Sequence, residues 1–320
     1  MPKLVEPIPI FFSIDDNYAP FLSVTLCSMI QNASKDHTYR IIILYKDLSR
    51  ENRQKLSAFA GNHFDLQFVP MGNRLDGIRD RMGNRLRADY FTLTIYFRLF
   101  IPVMFPEYEK AIYLDSDTVV TGDISELYHT ELKDNYIGAV ADHSIAHIPP
   151  LVKYVQYGIG VTKHQYINSG VLLMNLERLR RVRFERRFLE LMNTYHFDCI
   201  APDQDYLNAM CRGRIHYLPQ GWNTMPAAGK EPLADPKLIH YNLFSKPWHY
   251  DNIPYEEYFW SCAQGSPFYP QILKIKRRYS EQERQSDQRH LDLLLLRGEA
   301  IADSKVNFRT VFNERSEQYL

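Results

Sequence analysis

The chain has 320 residues, 45% of them apolar and 24% charged, with Lys plus Arg and Asp plus Glu balanced at 38 each. That length buries one large core and leaves room for a smaller appendage. The neutral balance excludes the broad basic field of a nucleic-acid-binding protein, so no nucleic-acid partner is expected.

Cys27, Cys199, Cys211 and Cys262 lie far apart and form no C-x-x-C pair. A zinc knuckle or a redox dithiol is therefore not indicated, and reduced, buried thiols fit a cytoplasmic location. The apolar run near the N-terminus is short and leads into Asp15-Asp16, unlike a signal peptide. No stretch is long enough to span a bilayer; residues 95–105 are interrupted by Arg98 and Pro102.

In chain order, 8–14 reads as a first buried strand that ends in Ser13-Ile14-Asp15-Asp16-Asn17-Tyr18, a turn rich in helix-capping residues. Helical spacing follows over 18–30. A second strand is expected over 40–45, a helix capped by Ser49 to about 59, and a third strand over 65–69. This alternation predicts an α/β architecture with a parallel sheet and right-handed crossovers. Residues 72–90 interleave Gly72, Gly77 and Gly83 with Arg74, Arg79, Arg81, Arg85 and Arg87, which reads either as a plain surface loop or as a lid over an anionic substrate. A helix over 92–105 presents Arg98 and is expected to stop at Pro102 and Pro106.

The run Lys110-Ala111-Ile112-Tyr113-Leu114-Asp115-Ser116-Asp117 follows. An apolar strand that ends in Asp-Ser-Asp delivers two hard oxygen ligands to a sheet rim, where open α/β sheets bind ligands. Such carboxylates suit Mg²⁺ or Mn²⁺. A strand over 137–141 ends on Asp142, another over 166–175 enters through Asn168-Ser169-Gly170, and a solvated, charged helix is expected over 176–195. Pro202-Asp203-Gln204-Asp205 opens a helix to Met210, its acidic start matching the helix dipole. Strands over 214–218 and 238–241 precede Lys246-Pro247-Trp248. Carboxylates at Asp15, Asp115, Asp117 and Asp142 gathered at one rim require a cation or positive groups, and Arg98 and Lys246 are the candidates to face accompanying phosphates.

Five motifs, Phe12-Ser13-Ile14-Asp15-Asp16-Asn17-Tyr18, Tyr113-Leu114-Asp115-Ser116-Asp117, Asn168-Ser169-Gly170-Val171, Asp203-Gln204-Asp205, and His240-Tyr241 with Lys246-Pro247-Trp248, occur in the order seen in family 8 glycosyltransferases. The chain resembles these retaining enzymes of the GT-A nucleotide-diphospho-sugar transferase fold over roughly residues 8–260. The resemblance implies a catalytic domain over 1–265 and a basic, helical extension over 266–320. It implies Mn²⁺ or Mg²⁺ held by Asp115, Asp117 and His240. Ser13, Asp15, Asn17, Tyr18 and Ser116 would hold the nucleotide of UDP-glucose or UDP-galactose, and Lys246 its diphosphate. Arg98, Asp142, Asn168, Asp203 and Gln204 would surround the donor sugar, and Ser169 would be a further donor-binding residue. The acceptor would be a saccharide or glycolipid. The segment Asn242-Leu243-Phe244-Ser245 departs from the family, which often has Gly there.

UDP leaves readily only when its developing charge is neutralised, which a metal and Lys246 would do. Retention needs either a nucleophile on the far face or attack from the face UDP leaves. Gln204 is a poor nucleophile, which favours front-face attack, with Gln204 and Asp203 stabilising the sugar cation. Two rivals are a sugar nucleotidylyltransferase, which needs a Gly-rich basic loop after the first strand, and a non-catalytic nucleotide-sugar or glycan-binding protein. In the tail, 271–280 carries Lys274, Lys276, Arg277 and Arg278 without an acid, before an amphipathic helix over 281–302. Weak peripheral contact with the inner membrane face, dimerisation, or packing of that helix on the catalytic domain are its alternative roles.

Overall fold

The computed structural model describes residues 6–61, 63–72, 93–227 and 231–317. The expected lid over 72–90 lies, beyond Gly72, outside the described residues. Among the described residues the strands are β1 (Ile8–Ile14), β2 (Tyr39–Tyr45), β3 (Phe64–Pro70), β4 (Lys110–Leu114), β5 (Thr118–Val120), β6 (Ile137–Ala139), β7 (Val171–Asn175), β8 (Ile215–Tyr217) and β9 (Leu238–His240). Seven form one sheet in the order β3-β2-β1-β4-β7-β6-β8, and β5 and β9 form a separate antiparallel ribbon.

Strands β1 to β4 run parallel, as the alternating pattern predicts. Residue alternation along each strand splits the core into two layers. Phe11, Ile42, Leu44, Ala111 and Tyr113 face one apolar cluster, and Ile10, Phe12, Ile41, Ile43, Ile112 and Leu114 face the other. The sheet is mostly parallel, with β7 the exception: it pairs antiparallel with both β4 and β6. The reason lies in the connection after β6: Asn168 N–H bonds Val140 O and Asp142 N–H bonds Tyr166 O, so the chain returns beside itself and re-enters at the same rim. The exception therefore brings Asp142 and the 168–170 turn to the end of the sheet where Asp115 emerges.

The helices are α1 (Ala19–Asn32), α2 (Arg50–Ser57), α3 (Phe97–Met104), α4 (Ile124–His129), α5 (Pro149–Lys153), α6 (Leu176–Arg181), α7 (Phe184–Tyr195), α8 (Pro202–Met210), α9 (Glu256–Gln264), α10 (Tyr269–Arg278), α11 (Glu281–Ala302) and α12 (Phe308–Glu317). Ser49 caps α2 by accepting the Asn52 N–H. Pro102 does not stop its helix: a 3₁₀ turn over Leu93–Tyr96 leads into α3, which contains Pro102 and runs on to Met104. The expected single helix over 176–195 is two, because Arg183 adopts a left-handed φ of 53°. Its second half is not merely solvated, since Phe184, Phe188, Leu191 and Met192 are buried.

The tail packs onto the core. Helix α10 contacts α1 and α9, and α11 contacts α5 and the π-helical turn Tyr154–Ile159 that follows it. Helix α12 contacts the same turn and α8. A capping box starts α11: Ser280 Oγ accepts the Glu283 N–H and Glu283 accepts the Ser280 N–H. Lys276, one of the four basic residues of 271–280, turns inward and pairs with Asp251 at 2.8 Å. No helix among the described residues is long and apolar enough to cross a membrane.

Candidate active site

The C-terminal end of β4 carries Asp115 and, past Ser116, Asp117 directly before β5. Ribbon pairing sets His240 opposite Thr118, and Tyr241 N–H bonds Asp117 O at 3.0 Å, so a residue 123 positions downstream arrives beside Asp117. Oxygen and nitrogen atoms of Asp115, Asp117 and His240 lie within 4.8 Å of one another. His240 Nε2 is 3.3 Å from Asp117 Oδ1 and 3.9 Å from Asp115 Oδ2.

Protonation at this cluster follows from the hydrogen bonds behind it. The Asp142 carboxylate only accepts, so Asn168 Nδ2 donates to its Oδ2 at 3.1 Å. Asn168 Oδ1 then accepts the Gly170 N–H at 2.9 Å and Asn223 Nδ2 at 3.0 Å. Asn223 Oδ1 is left to accept from His240 Nδ1 at 3.1 Å. The tautomer with hydrogen on Nδ1 leaves Nε2 bare, directed at two carboxylates. Asp117 Oδ1 is buried and receives no hydrogen bond, its contact with Nε2 being one between lone pairs. Two unpaired acceptors facing each other in a buried site fit a bound cation. Gly170 keeps that space open: a Cβ there would lie 2.3 Å from His240 Cε1 and 2.8 Å from Asp115 Oδ2.

Positive charge surrounds the cluster. Arg98, buried on α3, donates to Asp115 Oδ1 at 2.8 Å and to Ser169 O at 2.7 Å, and its Nε lies 3.2 Å from Asp203 Oδ2. Its guanidinium sits 4.2 Å from the centre of the Tyr113 ring, and the Tyr113 hydroxyl donates to Asp115 Oδ1 at 3.0 Å. Lys246 is buried and donates to Asp117 Oδ2 and to Tyr241 O. Burial pushes the Asp117 carboxyl upward, but the Lys246 ammonium outweighs it and holds Asp117 well below the usual carboxylate range. For Asp203 burial prevails over Arg98, and its carboxyl is raised.

Gln204 is held at both ends of its amide. Its Oε1 accepts the Ser169 N–H at 3.0 Å, and its Nε2 donates to Asp142 Oδ2 at 3.1 Å. Asp203 and Asp205, read as acids suited to a helix dipole, are buried and engaged: Ser169 Oγ donates to Asp203 at 2.9 Å, and the hydroxyls of Tyr154 and Tyr166 each donate to Asp205 at 2.6 Å.

One cavity of about 160 Å³ gathers Arg98, Asp115, Asp117, Asp142, Asn168, Ser169, Asp203, Gln204 and His240. The remaining expected residues stand apart from it. Ser13 lies near the end of β1, the strand beside β4, at the same rim. Asp15 Oδ1 accepts the N–H groups of Asn17 and Tyr18 at 3.0 and 3.1 Å, closing the turn into α1. Ser116 is buried, and its carbonyl accepts from Thr25 of α1 at 3.0 Å. Lys246, expected to face phosphates, is turned to Asp117.

The model of glycosyl transferase family 8 matches residues 9–252, most of the chain. The chain belongs to glycosyltransferase family 8. This glycosyltransferase is 29% identical over 255 residues to a putative glycosyltransferase of Haemophilus influenzae, covering 76% of this chain and 74% of that one. It is 25% identical over 312 residues to a lipopolysaccharide 1,2-glucosyltransferase of Escherichia coli K12, covering 86% and 85%. The galactosyltransferase LgtC, solved with donor and acceptor sugar analogues, superposes with a TM-score of 0.69 at 27% identity, over 84% of this chain and all of that one. The fold of this glycosyltransferase is therefore GT-A.

Sequence reasoning missed Asn223, which orients His240. Trp222-Asn223-Thr224 carries no signal beyond a loop, and its contact depends on the 3₁₀ turn Gln220–Asn223 placed beside β9. Gly170 was in view within a motif, but its steric role appears only with His240 beside it.

Proposed function

We propose that this family 8 glycosyltransferase moves a hexose, glucose or galactose, from UDP-hexose to a saccharide or glycolipid acceptor, with retention and with Mn²⁺ or Mg²⁺ held by Asp115, Asp117 and His240. The observation that carries this reading is His240 Nε2 set 3.3 Å from the unpaired, buried Asp117 Oδ1. The donor and acceptor analogues in LgtC, and the glucosyl transfer in the name of the E. coli relative, support a nucleotide-hexose donor.

A bound divalent cation supplies Lewis-acid neutralisation of the charge that develops on the leaving diphosphate. Arg98 aims Asp115 at the ligand cluster, and it pins Asp203 at the same time. Lys246 does the same for Asp117 and adds positive charge near the diphosphate. Ser13, Asp15, Asn17, Tyr18 and Ser116 bind the nucleotide along the β1 rim. Asn168, Ser169 and Asp142 hold the sugar hydroxyls. Gln204, fixed by Ser169 and Asp142, presents an oriented dipole rather than a nucleophile, and with Asp203 it stabilises positive charge on the sugar. We favour attack from the face that UDP leaves. Residues 1–265 form the catalytic domain, residues 266–320 an extension packed on it, and the location is cytoplasmic. Any membrane contact runs through Lys274, Arg277 and Arg278, which remain exposed.

The test is UDP release from UDP-glucose and UDP-galactose with Mn²⁺ and with chelator, the product anomer being read by NMR. Metal-dependent release with retained configuration is expected. Metal-dependent UDP binding without release from any UDP-hexose would identify a binding protein instead.

A further inference from the structure

The cavity has two unlike halves. One carries the charged and amide groups described above. The other, formed by the α5 region and by α11 from the tail, presents Ile145, Ile148, Leu151, Val155, Leu291 and Leu294. Two phenols also line the cavity, Tyr154 and Tyr166, but each spends its hydroxyl on Asp205 at 2.6 Å and turns only ring surface to the space. A sugar placed there would leave its hydroxyls without partners, at a cost for each buried group. Water gains little in a space so short of polar atoms. Among the described residues, no basic side chain lines this half to meet a phosphate. The six branched aliphatic side chains outnumber the two rings, which fits a hydrocarbon chain better than a pyranose ring.

We propose that the apolar half is an aglycone subsite of the acceptor: it takes an aliphatic chain attached to the acceptor sugar, while the sugar's reacting hydroxyl faces Asp142 and Gln204. This rests on the transferase reading above and narrows it to acceptors that carry a hydrocarbon chain. The continuity of the two halves within one cavity supports this occupant, because a chain seated there leads directly to the polar wall. Helix α11 is then part of the substrate site, with Leu291 at its mouth. Each methylene moved from water into the subsite favours binding.

The experiment compares hexyl β-D-glucopyranoside with methyl β-D-glucopyranoside by calorimetry on the full chain without nucleotide, alongside UDP titrated with Mn²⁺. The two glycosides share a sugar, so their difference isolates the chain. Expected is at least about tenfold tighter binding of the hexyl compound. Leu291→Ser and Ile148→Ser, both at half-buried positions, are each expected to shrink that ratio below about threefold and to leave UDP affinity unchanged. Equal affinities in the wild type, or a ratio unchanged in both variants, would overturn the subsite. Should UDP fail to bind while the ratio behaves as expected, the subsite stands and the nucleotide reading falls.

Discussion

Asn223 Oδ1 lies 3.1 Å from Nδ1 of His240, and that contact decides which ring nitrogen is free to bind a metal. The Asn223 amide cannot reverse without turning its NH₂ on the imidazole N–H and its oxygen on Asn168 Oδ1, which already accepts from Gly170. Asn223→Ala removes this constraint but none of the three ligand side chains. Mn²⁺ affinity, followed by titration, should weaken about 10- to 100-fold. An unchanged affinity would mean that packing alone holds the imidazole.

Asp115 and Asp117 share a proposed role but differ in what they leave behind. Asp115→Ala still leaves Arg98 paired with Asp203. Asp117→Ala removes the carboxylate that pairs with the buried Lys246 ammonium. Both variants should lose metal-dependent transfer. Asp117→Ala alone should also lose on the order of 3 kcal/mol of stability, measured by denaturant unfolding. Full UDP release in either variant would remove the carboxylates from the mechanism.

Gly170→Ala tests the space between the ligands. The added carbon would meet His240 Cε1 at 2.3 Å and Asp115 Oδ2 at 2.8 Å, so the imidazole must move. We expect near-wild-type secondary structure by circular dichroism together with a loss of Mn²⁺ binding. Normal Mn²⁺ binding in this variant would show that His240 is not a ligand.

Asp205 sets a pH dependence. Burial pushes its carboxyl up to about 7, against the hydrogen bonds from Tyr154, Tyr166 and Ala201. The unfolded chain releases that proton at about pH 4. Between these values the folded chain binds more protons, so the contribution of Asp205 is fully present below about pH 4 and is lost as pH rises through about 7. Asp205→Asn cannot ionise and should gain on wild type by a few kcal/mol between about pH 5 and about pH 8 in urea unfolding. A difference constant over that range would show that the three donors keep Asp205 ionised throughout.

Local patterning determined much of this protein. Apolar runs bounded by polar turns marked β1, β2 and β4, because a strand buried on both faces is nearly continuous in hydrophobic residues. The Ser49 cap, the Pro202 helix start and the length of α11 were legible for similarly local reasons, each being a matter of neighbouring hydrogen bonds. The order of the motifs carried the family. What only the tertiary structure decided depends on contacts between distant segments. The antiparallel entry of β7 sets Gly170 beside Asp115, the β5–β9 ribbon carries His240 to Asp117, and a loop residue, Asn223, selects the tautomer. The tail was legible as a helix, but its place as a wall of the cavity was not. A helix pattern shows that one face is apolar, and only the fold supplies what that face meets: here α5, the Tyr154 turn and the space beside Gln204.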